Sequence, residues 1–140
     1  MLKGTQLYIL TFVLLVLSGY LTNRASASIN DILKNEESPV DFKQTFLKVY
    51  EKGPNFNSED FVVTYPCGGG AVCGSIFDSS SNRFVSFPDD FIGASEKQEF
   101  DAKFNVSSNQ LCISGESAYT LEVYKNACYE YDGTALHPVR

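Results

Sequence analysis

The sequence predicts an α+β fold in which one N-terminal helix packs on an antiparallel, mostly meander β-sheet that carries two disulfides. Three observations predict it. One capped amphipathic segment spans residues 39–52, short β-like runs separated by turn residues extend from 61 to 137, and four cysteines all lie in this second region. One helical pattern followed by many strand patterns is typical of α+β domains.

The helix has clear signals at both ends. Ser38 is a favourable N-cap, and Pro39 suits the first helical position because its missing N–H would have no partner there. Gly53 followed by Pro54 ends the helix. Its apolar face is formed by side chains at helical spacing, namely Phe42, Phe46, Val49 and Tyr50.

The strands are short runs rich in β-branched and aromatic residues. They cover residues 61–65, 75–77, 83–87, 104–106, 111–113 and 119–124, followed by a terminal hairpin of 128–131 and 134–137. In the link 78–82, Asp78 can cap a turn and Asn82 tolerates the left-handed conformation. Asp132-Gly133 predicts a two-residue turn in the terminal hairpin. Residues 89–101 are expected to form a loop.

The N-terminal 27 residues predict a secretory signal peptide. Lys3 precedes an apolar run over residues 7–21, and Ala25-Ser26-Ala27 forms a small-residue cleavage site before Ser28. The alternative is an uncleaved helix that anchors the chain in the inner membrane, although 15 apolar residues are fewer than the roughly 20 that a span needs. We expect an exported, periplasmic protein with no stable membrane insertion after cleavage, a flexible lead-in over 28–37 and a single domain over 38–140.

The charge of the exported chain excludes one class of partner. Cleavage removes Lys3 and Arg24 from 11 basic residues and leaves all 17 acidic ones, so residues 28–140 carry a net charge of −8 with the histidine neutral. Nucleic-acid binding needs a basic surface to contact phosphates. We therefore expect that the domain does not bind nucleic acid. The partner that we expect is a protein in the cell envelope.

The four cysteines predict two disulfides, because an even number in an exported chain reads as a disulfide framework. Three pairings are possible. Cys67–Cys73 and Cys112–Cys128 are favoured because each joins segments that the predicted strands bring together.

The region 61–136 resembles a family of small exported bacterial proteins. That family has a Cys-Gly-x-Gly segment, an aspartate eleven residues after its cysteine, an aromatic-flanked turn before a proline, a following strand and a terminal Tyr-x-Trp-Asp-Gly hairpin. The counterparts are Cys67-Gly68-Gly69-Gly70, Asp78, Asn82-Arg83-Phe84-Val85, Pro88, residues 104–113 with Gly115, and Tyr129-Glu130-Tyr131-Asp132-Gly133. The second cysteine comes two residues later than in the family, Asn82 replaces a glycine and Tyr131 replaces the tryptophan. The resemblance implies a fold and a compartment, and it implies no activity.

Cys73-Gly74-Ser75 is also similar to a segment of periplasmic lysozyme inhibitors. Those inhibitors block the enzyme with a histidine and an acidic residue carried on a cysteine-flanked loop. The loop between Cys67 and Cys73 contains only glycine, alanine and valine. The resemblance therefore does not extend to that mechanism.

Residues of several catalytic and metal-binding classes are present, but their patterns predict no active site, metal or cofactor. A nucleophilic cysteine needs a base, and the only histidine is His137 near the C-terminus. The Cys-x5-Cys and Cys-x15-Cys spacings are loose for zinc, and GGGAVCGS lacks the lysine of a phosphate-binding loop. A calcium-binding loop needs acidic ligands at regular, alternate positions, and the acidic residues of the predicted loop 89–101 are too irregularly spaced. These residues are Asp89, Asp90, Glu96, Glu99 and Asp101.

The candidate contact surface combines the glycine loop with C-terminal tyrosines. Gly68, Gly69 and Gly70 form a crosslinked corner whose amides are accessible, and strand alternation places Tyr129 and Tyr131 on one sheet face. Tyr119 and Tyr124 lie nearby in sequence. The pattern favours a core or sheet-face position for these tyrosines, but tyrosine-rich faces also make good protein-binding surfaces, and this makes them the candidate contact patch.

These observations predict a non-enzymatic domain that binds a protein, as an inhibitor or immunity protein of an envelope-acting enzyme or toxin. One alternative is a cell-wall-acting enzyme that uses carboxylates or His137. Another is a structural accessory of an envelope assembly.

Overall fold

A computed structural model describes residues 28–140. This part of the chain contains two helices, α1 (Ile29–Asn35) and α2 (Val40–Glu51). The strands are β1 (Phe61–Gly68), β2 (Ala71–Asp78), β3 (Arg83–Ser86), β4 (Phe91–Ile92), β5 (Asp101–Lys103), β6 (Gln110–Glu116), β7 (Val123–Tyr131) and β8 (Leu136–Pro138). The α+β class is confirmed. The signal peptide and its alternative, a membrane anchor, concern residues 1–27 and lie outside the described part.

The strands form two antiparallel sheets rather than the single sheet of the prediction. The first has the order β1-β2-β3, with β4 also paired to β2, and the second is a meander of β5-β6-β7-β8. An isolated bridge between Phe91 and Ser117 joins the two sheets. Buried side chains from both sheets share one core, which includes Val62, Ile76, Phe91, Leu111, Ile113 and Tyr131.

Helix α2 packs on the other face of the first sheet. Its buried Phe42 and Phe46 meet Phe84 edge-on at ring-centroid distances of 5.0 Å. Phe61 and Phe77 extend this aromatic layer, whereas their neighbours Val62 and Ile76 point into the core between the sheets. The period-two alternation of β1 and β2 thus separates a helix-facing layer from a sheet-facing layer.

The helix signals were right about location and wrong about the cap. Pro39, with φ −55° and ψ 155°, occupies the N-cap position, so the first helical residue is Val40. Ser38 does not cap the helix, and its hydroxyl donates to Glu36 at 2.8 Å. The helix ends at Glu51, and Gly53 follows with φ +94° as the sequence predicts.

The segment 28–37, predicted as a flexible lead-in, contains the short helix α1. The Ser28 hydroxyl accepts the Asp31 N–H at 3.3 Å and donates to the Asp31 carboxylate at 2.7 Å. The bond from the Asp31 N–H to the Ser28 hydroxyl is an N-cap contact, and the Asp31 carboxylate accepts a hydrogen bond from the same hydroxyl. Ser28, a favourable N-cap residue, is the local sequence signal for the start of this helix.

Two predicted strands are shifted and one predicted turn is longer. The strand expected at 104–106 lies at Asp101–Lys103, and the one expected at 119–124 starts only at Val123. Tyr131 pairs with Leu136, so four residues, not two, connect β7 and β8. The Asp132 carboxylate stabilises this longer turn by accepting the N–H groups of Thr134 at 2.8 Å and Ala135 at 2.9 Å. The predicted loop 89–101 also includes the short strand β4 and the first residue of β5.

The crosslinks and the 78–82 turn are as predicted. The disulfides are Cys67–Cys73 and Cys112–Cys128. Asp78 accepts the Ser81 N–H at 2.7 Å, and Asn82 has φ +55°.

Within 28–140, neither helix has the length and apolar character of a membrane span.

Candidate functional site

The glycine loop is a tight hairpin between β1 and β2. Gly68 pairs with Ala71, so Gly69 and Gly70 are the two turn residues, with φ values of +60° and +81°. Positive φ at both central positions is the pattern of a type I′ turn, which glycine adopts without steric cost. Among the described residues, no atom comes within 4 Å of a Cβ built on any of these three glycines. The hairpin is therefore open to solvent and offers backbone rather than side chains.

The segment after β3 lies beside this hairpin. The Gly93 N–H donates to the Gly70 carbonyl at 2.9 Å, and Phe91 pairs with Val72 of β2. A Cβ on Gly93 would lie 3.0 Å from the Gly70 carbonyl oxygen, so the close approach favours glycine there. Residues 89–93 consequently run between the glycine hairpin and the loop that follows β6.

Asp89 and Asp90, here called the aspartate pair, precede this short strand. The Asp90 carboxylate accepts the Tyr119 hydroxyl at 2.7 Å, and its backbone carbonyl accepts the Ala118 N–H at 2.8 Å. The Asp89 carboxylate accepts the Tyr124 hydroxyl at 3.2 Å. The aspartate pair therefore fixes side chains from both the 117–122 loop and β7.

The 117–122 loop has a fixed backbone and an exposed tip. The hydroxyl of the fully buried Ser117 accepts the N–H groups of Tyr119 at 3.2 Å and Thr120 at 3.0 Å. The Ser117 N–H donates to the Glu122 carbonyl at 2.9 Å. At the tip of the loop, Tyr119 is 76% exposed and Leu121 is 56% exposed. We call these two side chains the tyrosine–leucine tip.

Leu121 adopts φ +61°, in the left-handed region. This conformation is uncommon for residues other than glycine, asparagine and aspartate, because Cβ approaches the following carbonyl. The Leu121 N–H donates to the Ser117 carbonyl at 3.2 Å, which closes the turn around it. Strained backbone held by its surroundings occurs most often at functional sites.

The tyrosines around the aspartate pair have raised pKa values. The hydrogen bond to Asp90, together with its negative charge, raises the pKa of Tyr119. Burial, followed by the hydrogen bond to Asp89, raises the pKa of Tyr124 to about 12, and burial together with the charge of Asp89 raises the pKa of Tyr129. All three phenols therefore stay neutral, and those of Tyr119 and Tyr124 donate hydrogen bonds to the aspartate pair.

The predicted contact surface is only partly available. Tyr131 is 2% exposed, and its hydroxyl donates to Asp78 at 2.8 Å, so its assignment to a contact surface is wrong. Tyr129 is partly buried against the same core. The alternation of β7 was read correctly, but the face it defines points inward because the second sheet covers the first. Gly68, Gly69 and Gly70 remain accessible.

Of the four tyrosines between 119 and 131, Tyr119 is the exposed one, and the sequence patterns did not connect it with Leu121 or the aspartate pair. Residues 117–120 (SAYT) were included in or next to a predicted strand. The overlooked signal was Ser117, whose side chain can bond the backbone two and three residues later and so forms a turn.

One group of potential metal ligands occurs within residues 28–140, and two of its three members are crosslinked cysteines. The Cys67 and Cys73 sulfurs lie within 4.8 Å of each other and of an Asp90 carboxylate oxygen. The two sulfurs are bonded to each other, so they offer no thiolate to a metal. Of the other acidic residues, Asp101 contacts Lys103 at 3.9 Å.

His137 lies in β8, and its side chain contacts the β7–β8 turn. Its Nε2 lies 2.7 Å from the Asp132 carboxylate, and both side chains are about half exposed. Asp132 also accepts the Thr134 hydroxyl at 2.7 Å. These hydrogen bonds hold the β7–β8 connection, and they lower the pKa of Asp132.

Comparison with protein-family models, with curated proteins and with solved structures finds no match to this chain.

Proposed function

We propose that this chain is an exported, non-enzymatic domain that binds a protein partner of the cell envelope through the tyrosine–leucine tip. One observation carries the proposal. Tyr119 and Leu121 are both more than half exposed on a loop whose backbone is fixed by the buried Ser117. Because its backbone is fixed and its hydroxyl is bound to Asp90, Tyr119 loses little entropy on binding, and tyrosine is enriched among the residues that dominate the energy of protein interfaces. Leu121 adds exposed apolar area beside it.

The compartment is supported by the crosslinks. All four cysteines form disulfides, which persist in oxidising compartments such as the periplasm. A small crosslinked domain with a rigid binding loop is suited to an inhibitor or immunity protein of an envelope-acting enzyme or toxin. Strand β4, which directly follows the aspartate pair, is paired with β2 next to the glycine hairpin. The hairpin can therefore supply accessible backbone beside the tyrosine–leucine tip.

The proposal is tested by affinity capture from a periplasmic extract, using wild type, Tyr119→Ala/Leu121→Ala and the control Val106→Ala. Val106 is an exposed apolar residue, 46% accessible, in the loop between β5 and β6. We expect one stoichiometric partner that is retained by the control and lost from the double variant. Equal recovery by all three proteins would contradict the assignment of the tip.

The same proteins distinguish the enzymatic alternative. If the domain cleaved peptidoglycan through His137, purified protein would release fragments from cell-wall sacculi, and His137→Ala would abolish this release. We expect no such release, and we expect His137→Ala to retain the partner.

A further inference from the structure

We propose that the partner presents a basic protein surface, in which a lysine or arginine reaches the aspartate pair while apolar groups cover the tyrosine–leucine tip. This inference rests on the proposed function and specifies its partner. The aspartate pair and the tip are in direct contact. The Asp90 carboxylate accepts a hydrogen bond from the Tyr119 hydroxyl at 2.7 Å, and the Asp90 carbonyl accepts one from the Ala118 N–H at 2.8 Å. A partner that covers the tip therefore also covers the aspartate pair.

The negative charge of the aspartate pair is not neutralised within 28–140. Its carboxylates accept hydrogen bonds from the phenols of Tyr119 and Tyr124, which are neutral donors. Other acidic residues of this part of the chain form ion pairs, among them Glu116, Asp101 and Asp132. Glu122, exposed at the end of the loop, adds a further negative charge. An apolar contact covering this region would desolvate unpaired charge, which is costly unless the partner supplies a cation.

The charge excludes the other classes of occupant. Anionic lipid surfaces and nucleic acids would be repelled by the aspartate pair and by a chain whose formal net charge is −6. A second copy docking symmetrically through the same surface would bring its own aspartate pair against this one. A basic protein surface satisfies both the apolar tip and the carboxylates, and an arginine could also stack on the exposed Tyr119 ring.

The experiment uses a photo-crosslinking amino acid at Thr120, an exposed residue between the two tip side chains, in the full chain expressed in its own cells. The control probe replaces Val106. The substitutions Asp89→Asn/Asp90→Asn are then introduced into the chain that carries the probe. The matched control is the same chain with Glu51→Gln/Glu130→Gln, which removes the same charge from exposed positions elsewhere. Circular dichroism of each variant verifies the fold.

We expect an adduct specific to Thr120, whose crosslinked peptide lies in a lysine- or arginine-rich surface. Its yield should fall about tenfold in Asp89→Asn/Asp90→Asn and at 0.5 M salt, and change less than about twofold in Glu51→Gln/Glu130→Gln. An adduct with unchanged yield in Asp89→Asn/Asp90→Asn would overturn the basic partner and leave the proposed function intact. The absence of an adduct above the Val106 control would contradict both.

Discussion

The hydroxyl of Tyr131 donates a 2.8 Å hydrogen bond to the buried carboxylate of Asp78, and this bond connects the end of β7 to the end of β2. The two residues belong to different sheets and are 53 positions apart. Asp78 is 4% exposed, so a charged group is kept inside the fold by hydrogen bonds from Tyr131, Ser80 and Ser81. The bond therefore fixes how one sheet lies on the other.

Replacing Tyr131 by phenylalanine should destabilise the domain by about 2 kcal/mol, because it removes a hydrogen bond from a buried charged acceptor. The measurement is the free energy of unfolding in urea. Tyr119→Phe is the matched control, since it removes an equivalent hydrogen bond to Asp90 from an exposed ring. We expect its cost to stay below about 1 kcal/mol. Equal costs for the two variants would show that burial of the Asp78 acceptor is unimportant.

The stability of the domain should fall in acid because of Asp78. Burial acts to raise the pKa of Asp78, but the hydrogen bonds from Ser80, Tyr131 and Ser81 outweigh it and lower the pKa from 3.8 to about 2. The folded pKa lies below the unfolded one, so the contribution is present above about pH 4 and is lost as pH falls through 2. It amounts to about 2 kcal/mol.

Urea unfolding between pH 6 and pH 2 tests this linkage. The stability difference between wild type and Asp78→Asn should shrink by about 2 kcal/mol over that range, and Tyr131→Phe should show a weaker pH dependence than wild type. A difference that is independent of pH would mean that the carboxylate is not held in its charged form.

Two glycines should respond to alanine for different reasons. A Cβ on Gly74 would lie 2.3 Å from the buried Phe87 ring, so Gly74→Ala should cost about 3 kcal/mol or more through overpacking. Gly69 has open space within 28–140 but φ +60°, so Gly69→Ala should cost about 1 kcal/mol of backbone strain. Thermal unfolding of both variants measures the contrast. A larger cost at Gly69 would contradict the open hairpin.

Ser117→Ala should loosen the tyrosine–leucine tip. It removes the acceptor for the N–H groups of Tyr119 and Thr120, so their amide hydrogens should exchange at least about fivefold faster, with a loss of about 1 kcal/mol in stability. Ser107→Ala, an exposed serine whose hydroxyl contacts Asn105, provides the control. Unchanged exchange at Tyr119 and Thr120 would show that the loop is not fixed by Ser117.

The sequence was sufficient to predict the features that depend on local chemistry. The amphipathic pattern of Phe42 and Phe46 located α2, and the Asp78–Asn82 turn and both disulfides follow from short-range signals that tertiary contacts do not override. The division into two sheets was not predictable in this way. The alternation of Tyr129 and Tyr131 defines a face, but whether that face is covered depends on residues such as Asp78, more than 50 positions away.

The candidate site was missed for a related reason. The candidate site combines the 117–122 loop with an aspartate pair whose second member lies 29 positions before Tyr119. The Phe91–Ser117 bridge and the hydrogen bonds to Asp90 bring the two segments together. The glycine hairpin was identified because three consecutive glycines imply positive φ locally. Leu121, by contrast, carries no residue-level signal for the left-handed conformation that the loop imposes on it.

Amide chemical-shift mapping of the isotope-labelled domain, titrated with the partner recovered by affinity capture, tests the binding surface most directly. We predict that the largest shift changes lie at residues 117–122 and at Asp89 and Asp90, with smaller changes at the adjacent Gly68–Gly70 hairpin. Shift changes confined to the β7–β8 turn and His137, or to the exposed face of α2, with the 117–122 loop unaffected, would contradict the account.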